Sequence, residues 1–198
     1  MSLEAIIEKI EDKVLMKFVK TFGYSMNDYK GVQPGLVFAV TRGDFKGLQT
    51  SPTICEVEGD MYGAQFSGFN TVEGNAKGGL NSYLVNIVKG CLEGYAIGAT
   101  NYAKHLKGFG VGITNAYEIL EGVLVGGVGS AGTAKGFLMN AFSSSVTKRF
   151  DGVEIAPICY APDKGNYFQV GLITIRKGEG PWYKRITPFI GWHREKKK

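Results

Sequence analysis

The sequence predicts an all-β fold: a narrow parallel β-solenoid of about ten 14–16-residue repeats with an N-terminal amphipathic capping helix. Three observations predict it. Glycine makes up 29 of 198 residues, about twice the usual ~7%. The glycines recur: Gly31, Gly47, Gly63, Gly78 or Gly79, Gly94, Gly108, Gly122, Gly136 and Gly152 lie mostly sixteen or fourteen apart, and a tenth, degenerate unit has Tyr167 at the anchor position. Finally, residues at a fixed distance from these anchors are alike from unit to unit. Parallel stacking of coils explains such columns, because equivalent positions then lie directly above one another. An antiparallel meander would keep them only near strand centres.

Residues 1–27 hold the predicted cap and a linker. Leu3, Ile6, Ile7, Ile10, Val14, Leu15 and Phe18 follow helical spacing, Ser2 can cap the start, and Gly23 is a stop signal. The apolar stripe of this helix needs a surface, and the open edge of the first coil supplies one. Residues 28–178 are the repeats. Steps of sixteen and fourteen differ by two, the side-chain period of a strand, so a coil can change length by a pair without turning its side chains over. The two fifteen-residue steps, near Gly78–Gly79 and Gly165, are expected to be absorbed by bulges at those glycines. Residues 179–198 hold the segment Trp182–Trp192, expected to close the other end with its aromatics, and a basic tail.

Six columns define the repeat. Position 4 past the anchor is small: Gly35, Ser51, Ser67, Gly98, Gly112 and Gly126 among others. Positions 1 and 3 are apolar, as in Phe109 and Val111, and the alternation reads as a half-buried strand. Position 2 then forms a polar stripe, Gln33, Gln49, Gln65 and Asn81, which is the candidate binding surface. Position 7, with Gly79 as the fourth anchor, holds Asn70, Asn86, Asn101 and Asn115, an expected structural ladder of stacked amides. Just before the anchor the charge alternates through Lys77, Glu93, Lys107, Glu121, Lys135 and Asp151, which suits coils stacked one strand spacing apart.

The units GLQTSPTI, GAQFSGFN, GYAIGATN, GFGVGITN and FQVGLITI, with the linkers TRGDFKG and VEGDMYG, resemble a bacterial family of glycine-rich surface-repeat proteins whose repeat reads roughly G-L-Q-x-G-L-x-N. The closing QVGLITIRKGEGPWYKRITPFI is similar to that family's last segment. The resemblance covers about residues 28–192. It implies a repeat architecture and brings no catalytic residues with it.

Chemistry is sparse. His105 and His193 are the only histidines, and Cys55, Cys91 and Cys159 are scattered, so neither a metal site nor a disulfide framework is indicated. Ser143, Ser144 and Ser145 lack a nucleophile-elbow motif and read as a turn or loop. GFGVGITN lacks the dinucleotide-binding spacing, and its glycines belong to the repeat columns. Asp44, Asp60 and Asp151 fall in inter-repeat turns, where Asp serves local hydrogen bonding. The aromatic recurrences, Tyr29, Phe45 and Tyr62 early and Tyr95, Phe109 and Phe137 later, read as packing between coils. No catalytic residue, metal or cofactor is therefore expected.

The net charge of +5 owes four basic residues to the tail HREKKK, so nucleic acid is not an expected partner. The function expected is a non-catalytic repeat scaffold or binding module, with an unknown protein or glycan partner and room for a homo-oligomer through a solenoid end. The alternative is a membrane β-barrel with one strand per repeat; a membrane is the less favoured partner. The absence of an export signal points to the cytoplasm, and a cell-surface location follows if such a signal has been removed.

Overall fold

A computed structural model describes residues 23–177 and 186–195. The expected helix over residues 2–20 and Trp182 lie outside the described residues. The strands are β1 (Tyr24–Ser25), β2 (Tyr29–Pro34), β3 (Phe38–Thr41), β4 (Phe45–Thr50), β5 (Ile54–Val57), β6 (Met61–Val72), β7 (Ala76–Ile97), β8 (Thr100–Ile155), β9 (Ile158–Ala161), β10 (Tyr167–Arg176) and β11 (Ile186–His193). β1 to β10 pair in parallel, one coil on the next, in a β-solenoid of about ten turns. Each coil has two strand segments and two corners. One segment carries the anchor glycine, as in β2 and β4. The other returns across the interior, as in β3 and β5. β7 and β8 bend round the corners of successive coils without a break. Two parallel segments per coil rule out the one-strand-per-repeat antiparallel barrel for this chain.

The anchor column is a backbone contact. Gly47 pairs with Gly31 and Gly63 and has φ 145°. Gly122 has φ 142°. A Cβ on Gly47 would run into the carbonyl oxygen of Gly31, and one on Gly122 into that of Gly108. Both the conformation and the space therefore demand glycine. The fourth anchor is Gly78, which pairs with Gly63, and the tenth place is taken by Tyr167 opposite Gly152.

Coils change length one residue at a time, at two different corners. Between Ser67 and Phe69 the register slips against Ser82 and Val85, so the first fifteen-residue step is taken up at the Gly68 corner rather than at Gly78–Gly79. Between Val88 and Cys91 it slips again, at the opposite corner. The second fifteen-residue step falls between Ile155 and Ile158, not at Gly165: Ser143 pairs with Ile158, fifteen on, whereas Gly152 stands over Gly136, sixteen on. A sixteen-residue coil is thus a fourteen-residue coil with one residue added at each corner. Corners sit outside the ladders, so single insertions there leave the strand phase intact.

The interior is narrow and its phase is set two residues before the anchor. Phe45, Met61, Leu92, Leu106, Leu120 and Phe150 occupy that column and are buried. Burying each such side chain contributes about 1.5–3 kcal/mol. Side chains two apart share a face, so position 2 must also point inward. Gln33, Gln49 and Gln65 are accordingly buried, and the column continues as Leu80, because Gln65 pairs with Leu80 and Asn81 pairs with Phe66 on the outer side. The half-buried alternation is therefore opposite in phase to the expected one: positions 1 and 3 face solvent.

β11 closes the last coil. It runs antiparallel along β10, from His193 opposite Tyr167 to Ile186 opposite Ile175. Closure is by a strand, and the described aromatics Phe189 and Trp192 point outward. The His193 ring covers Tyr167 at 5.4 Å, and Tyr167 stacks on Phe150 at 5.4 Å.

Candidate interaction face

The interior polar columns are structural. Gln49 donates to Gln33 at 2.9 Å, and Gln65 donates to Gln49 at 2.7 Å. No partner can reach these three side chains from outside, which removes the stripe of Gln33, Gln49, Gln65 and Asn81 as a binding surface. On the opposite wall Asn70 donates to Asn86 at 2.8 Å, Asn86 to Asn101 at 2.7 Å and Asn101 to Asn115 at 2.8 Å. Each amide satisfies the next, which is what burial of a polar group requires. The small column follows from this ladder. A Cβ at Gly98 would come within 2.7 Å of Asn86 Nδ2, and one at Gly112 within 2.6 Å of Asn101 Nδ2.

One long edge of the solenoid is charged and ordered by carboxylates. The backbone N–H of Asp44 donates to Asp28, that of Asp60 to Asp44 and that of Asn75 to Asp60, at 2.7–2.8 Å. These bonds reach from coil to coil and are not confined to one turn. Beside this edge Glu93 lies between Lys77 at 3.6 Å and Lys107 at 3.9 Å, while Asp151 is held by Arg149 at 2.7 Å. His105 stands 3.9 Å from Glu121.

Groups that could do chemistry are dispersed. Burial pushes the Cys159 thiol up to about 12, and Cys55 is raised for the same reason. Ser143, Ser144 and Ser145 lie in a strand, paired with Ile158, Cys159 and Tyr160, where a turn was expected. Among the described residues no three His, Cys, Asp or Glu side chains come together as metal ligands would.

What the sequence reading missed is the outer face of the anchor sheet. Position 1 runs from Val32 and Leu48 through Tyr95, Phe109, Val123, Phe137 and Val153 to Phe168. Position 3 runs through Phe66, Ile97, Val111, Val125, Met139, Ile155 and Val170. Neither row holds an acidic or basic side chain in any of the ten coils; Tyr95 is the polar-tipped member of position 1, and Thr50 and Asn81 are the polar members of position 3. Yet these rows face outward: Val32 is 60% exposed, Phe66 45%, Met139 43% and Phe109 40%. At the adjoining corner Ile113 and Phe142 are each 67% exposed. The charged row of Lys77 to Asp151 borders the other side. The signal was available in the column two before the anchor, whose unbroken apolar character fixes which face is inside. Comparison of the chain with known family models, curated proteins and solved structures finds no match.

Proposed function

We propose that this protein is a non-catalytic β-solenoid scaffold that holds a protein partner against the outer apolar face of its anchor sheet. The observation that carries this reading is that two outward rows, ten coils long, contain no charge. Exposed contiguous apolar surface of this extent marks interaction sites on soluble proteins. The charged row beside it supplies the polar rim that interfaces have. The likeness to glycine-rich surface repeats is in keeping with a repeat whose work is to present a surface. Residues 2–20 complete the scaffold as a cap. The free side of β2 has no strand partner among the described residues, and an amphipathic segment would cover that edge.

The test places a photo-crosslinking amino acid at Val111 on the apolar face, and separately at Thr147 in the solvent-facing part of the return segment, in cells that make the protein. A discrete protein adduct from position 111 alone is the expected result. Equal labelling at both positions, or none at 111, overturns the proposal.

A further inference from the structure

We propose that the occupant of the apolar face is a second copy of this chain, docked face to face across a two-fold axis that lies along the strands, midway between the coils of Gly94 and Gly108. This inference rests on the binding-face reading above and deepens it.

The charged row supplies the register. From the first coil it reads Lys30, Lys46, Tyr62, Lys77, Glu93, Lys107, Glu121, Lys135, Asp151 and Asn166. A two-fold along the strands lays each row on itself in reverse order of coils. If the axis passed through a coil, the alternation would set like charges opposite each other: Lys107 on Lys107, Glu93 on Glu121. Between coils it sets unlike charges opposite. With the axis at the midpoint, Glu93 meets Lys107 of the second copy, Lys77 meets its Glu121, and Lys46 meets its Asp151. No like pair arises anywhere along the row. Within the chain Asp151 is already held by Arg149 at 2.7 Å, and Glu93 already lies between Lys77 at 3.6 Å and Lys107 at 3.9 Å. The pairs across the axis therefore extend an existing row of exposed ion pairs and act by excluding the like-charged registers. Like charges directly opposite cost energy, so the alternation discriminates between registers.

The apolar rows fit the same register. Tyr95 falls opposite Phe109 of the second copy at the centre. Away from the centre a small residue faces a large one, Ala64 opposite Phe137, while Gly79 is covered by the Tyr95 ring of its own chain, so Val123 of the second copy packs on that ring. Sheets packed face to face sit about 10 Å apart, a gap that a Lys and a Glu side chain span together at the rim. The midpoint axis overlaps all ten coils. A strip of about 48 Å by 20 Å removes about 900 Å² on each copy, against the ~800 Å² per partner of a stable interface.

The experiment is sedimentation of the full chain at micromolar concentrations. The expected mass is twice the 21.5 kDa of the chain. Phe109→Lys with Val111→Lys, both outward-facing, should give a monomer with unchanged circular dichroism. The decisive variants are Lys77→Glu, which should weaken the dimer at least tenfold, and Lys77→Glu with Glu121→Lys, which should restore it. Within one chain these residues are three coils apart, about 14 Å, so rescue can come only through the second copy. A monomer at every concentration overturns the inference, as does a dimer that ignores the face lysines or is not rescued. If the monomer instead binds phosphatidylcholine vesicles, which carry no net charge, in a manner the face lysines abolish, the face docks on lipid and the second copy is excluded. If the crosslink at position 111 still yields a heterologous adduct, the scaffold reading survives the loss of this one.

Discussion

Glu154 is the residue most at odds with its surroundings. It sits in the inward position 2 column, between Leu138 and Gln169, and is fully buried. Burial pushes its pKa from the ordinary 4.5 up to about 7, with partial relief from Ser144 and from Gln169, whose Nε2 donates to Oε2 at 2.6 Å. Its other oxygen, Oε1, has no hydrogen-bond partner, and the Ser144 hydroxyl lies near it without bonding geometry. Because the folded pKa lies above the unfolded one, the folded chain binds the proton more tightly. The associated stability is fully present below pH 4.5 and is lost as pH rises through 7. The loss by pH 8 is about 3 kcal/mol. Glu154→Gln places an uncharged amide in a column that already carries amides. The variant should match the wild type at pH 4 and exceed it by about 2–3 kcal/mol at pH 8 in urea titrations. Equal stability of the two at pH 8 would show that the carboxylate is solvated.

At the scale of the element, the asparagine ladder and the small column form one device. Asn101 is its centre: it accepts from Asn86, donates to Asn115 at 2.8 Å and donates to the Val111 carbonyl at 2.7 Å. Asn115 ends the ladder, with longer bonds of 3.2 Å to Gly112 and 3.5 Å to Val125. Asn101→Ala leaves buried groups unpaired on both sides and should cost about 2–4 kcal/mol, and Asn115→Ala about 1 kcal/mol. Chemical denaturation of the two variants checks the order; equal losses would mean that the amides act singly. The ladder was legible because stacked identical residues leave a column in the sequence, and so was the anchor, because a backbone-to-backbone contact admits only glycine. The direction of the faces was not read. Alternation reports burial only when the outer side is polar, and here Phe109 and Val111 outside are as apolar as Leu106 and Leu124 inside. The polar stripe of Gln33, Gln49 and Gln65 looked like a surface for the same reason. Its satisfaction depends on the coil above, which no single repeat displays. Coil length misled likewise, since a two-residue difference suggested strand phase where two separate corners supply one residue each.

At the scale of the whole molecule, each coil touches only its neighbours, so stability is close to a sum of coils and interfaces, and the ends decide how unfolding starts. The C-terminal end is closed by β11, which pairs along nearly the whole of β10 and accepts the Thr174 hydroxyl at the Thr187 carbonyl, 2.9 Å away. Beneath it lie Gln169, Thr174 and Tyr167, all buried. Ending the chain after Arg176 would uncover these side chains and leave β10 as an open parallel edge, free to pair with another chain. The inner coils keep every one of their own contacts. Hydrogen exchange should therefore show faster exchange in β10 and β9 of the truncated chain, fading within two or three coils, with the amides around Gly94–Gly122 as slow as before. Turbidity on standing should rise as the new edge recruits copies. Uniformly faster exchange along the solenoid would mean that the coils unfold as a single cooperative unit and that β11 stabilises all of them at once.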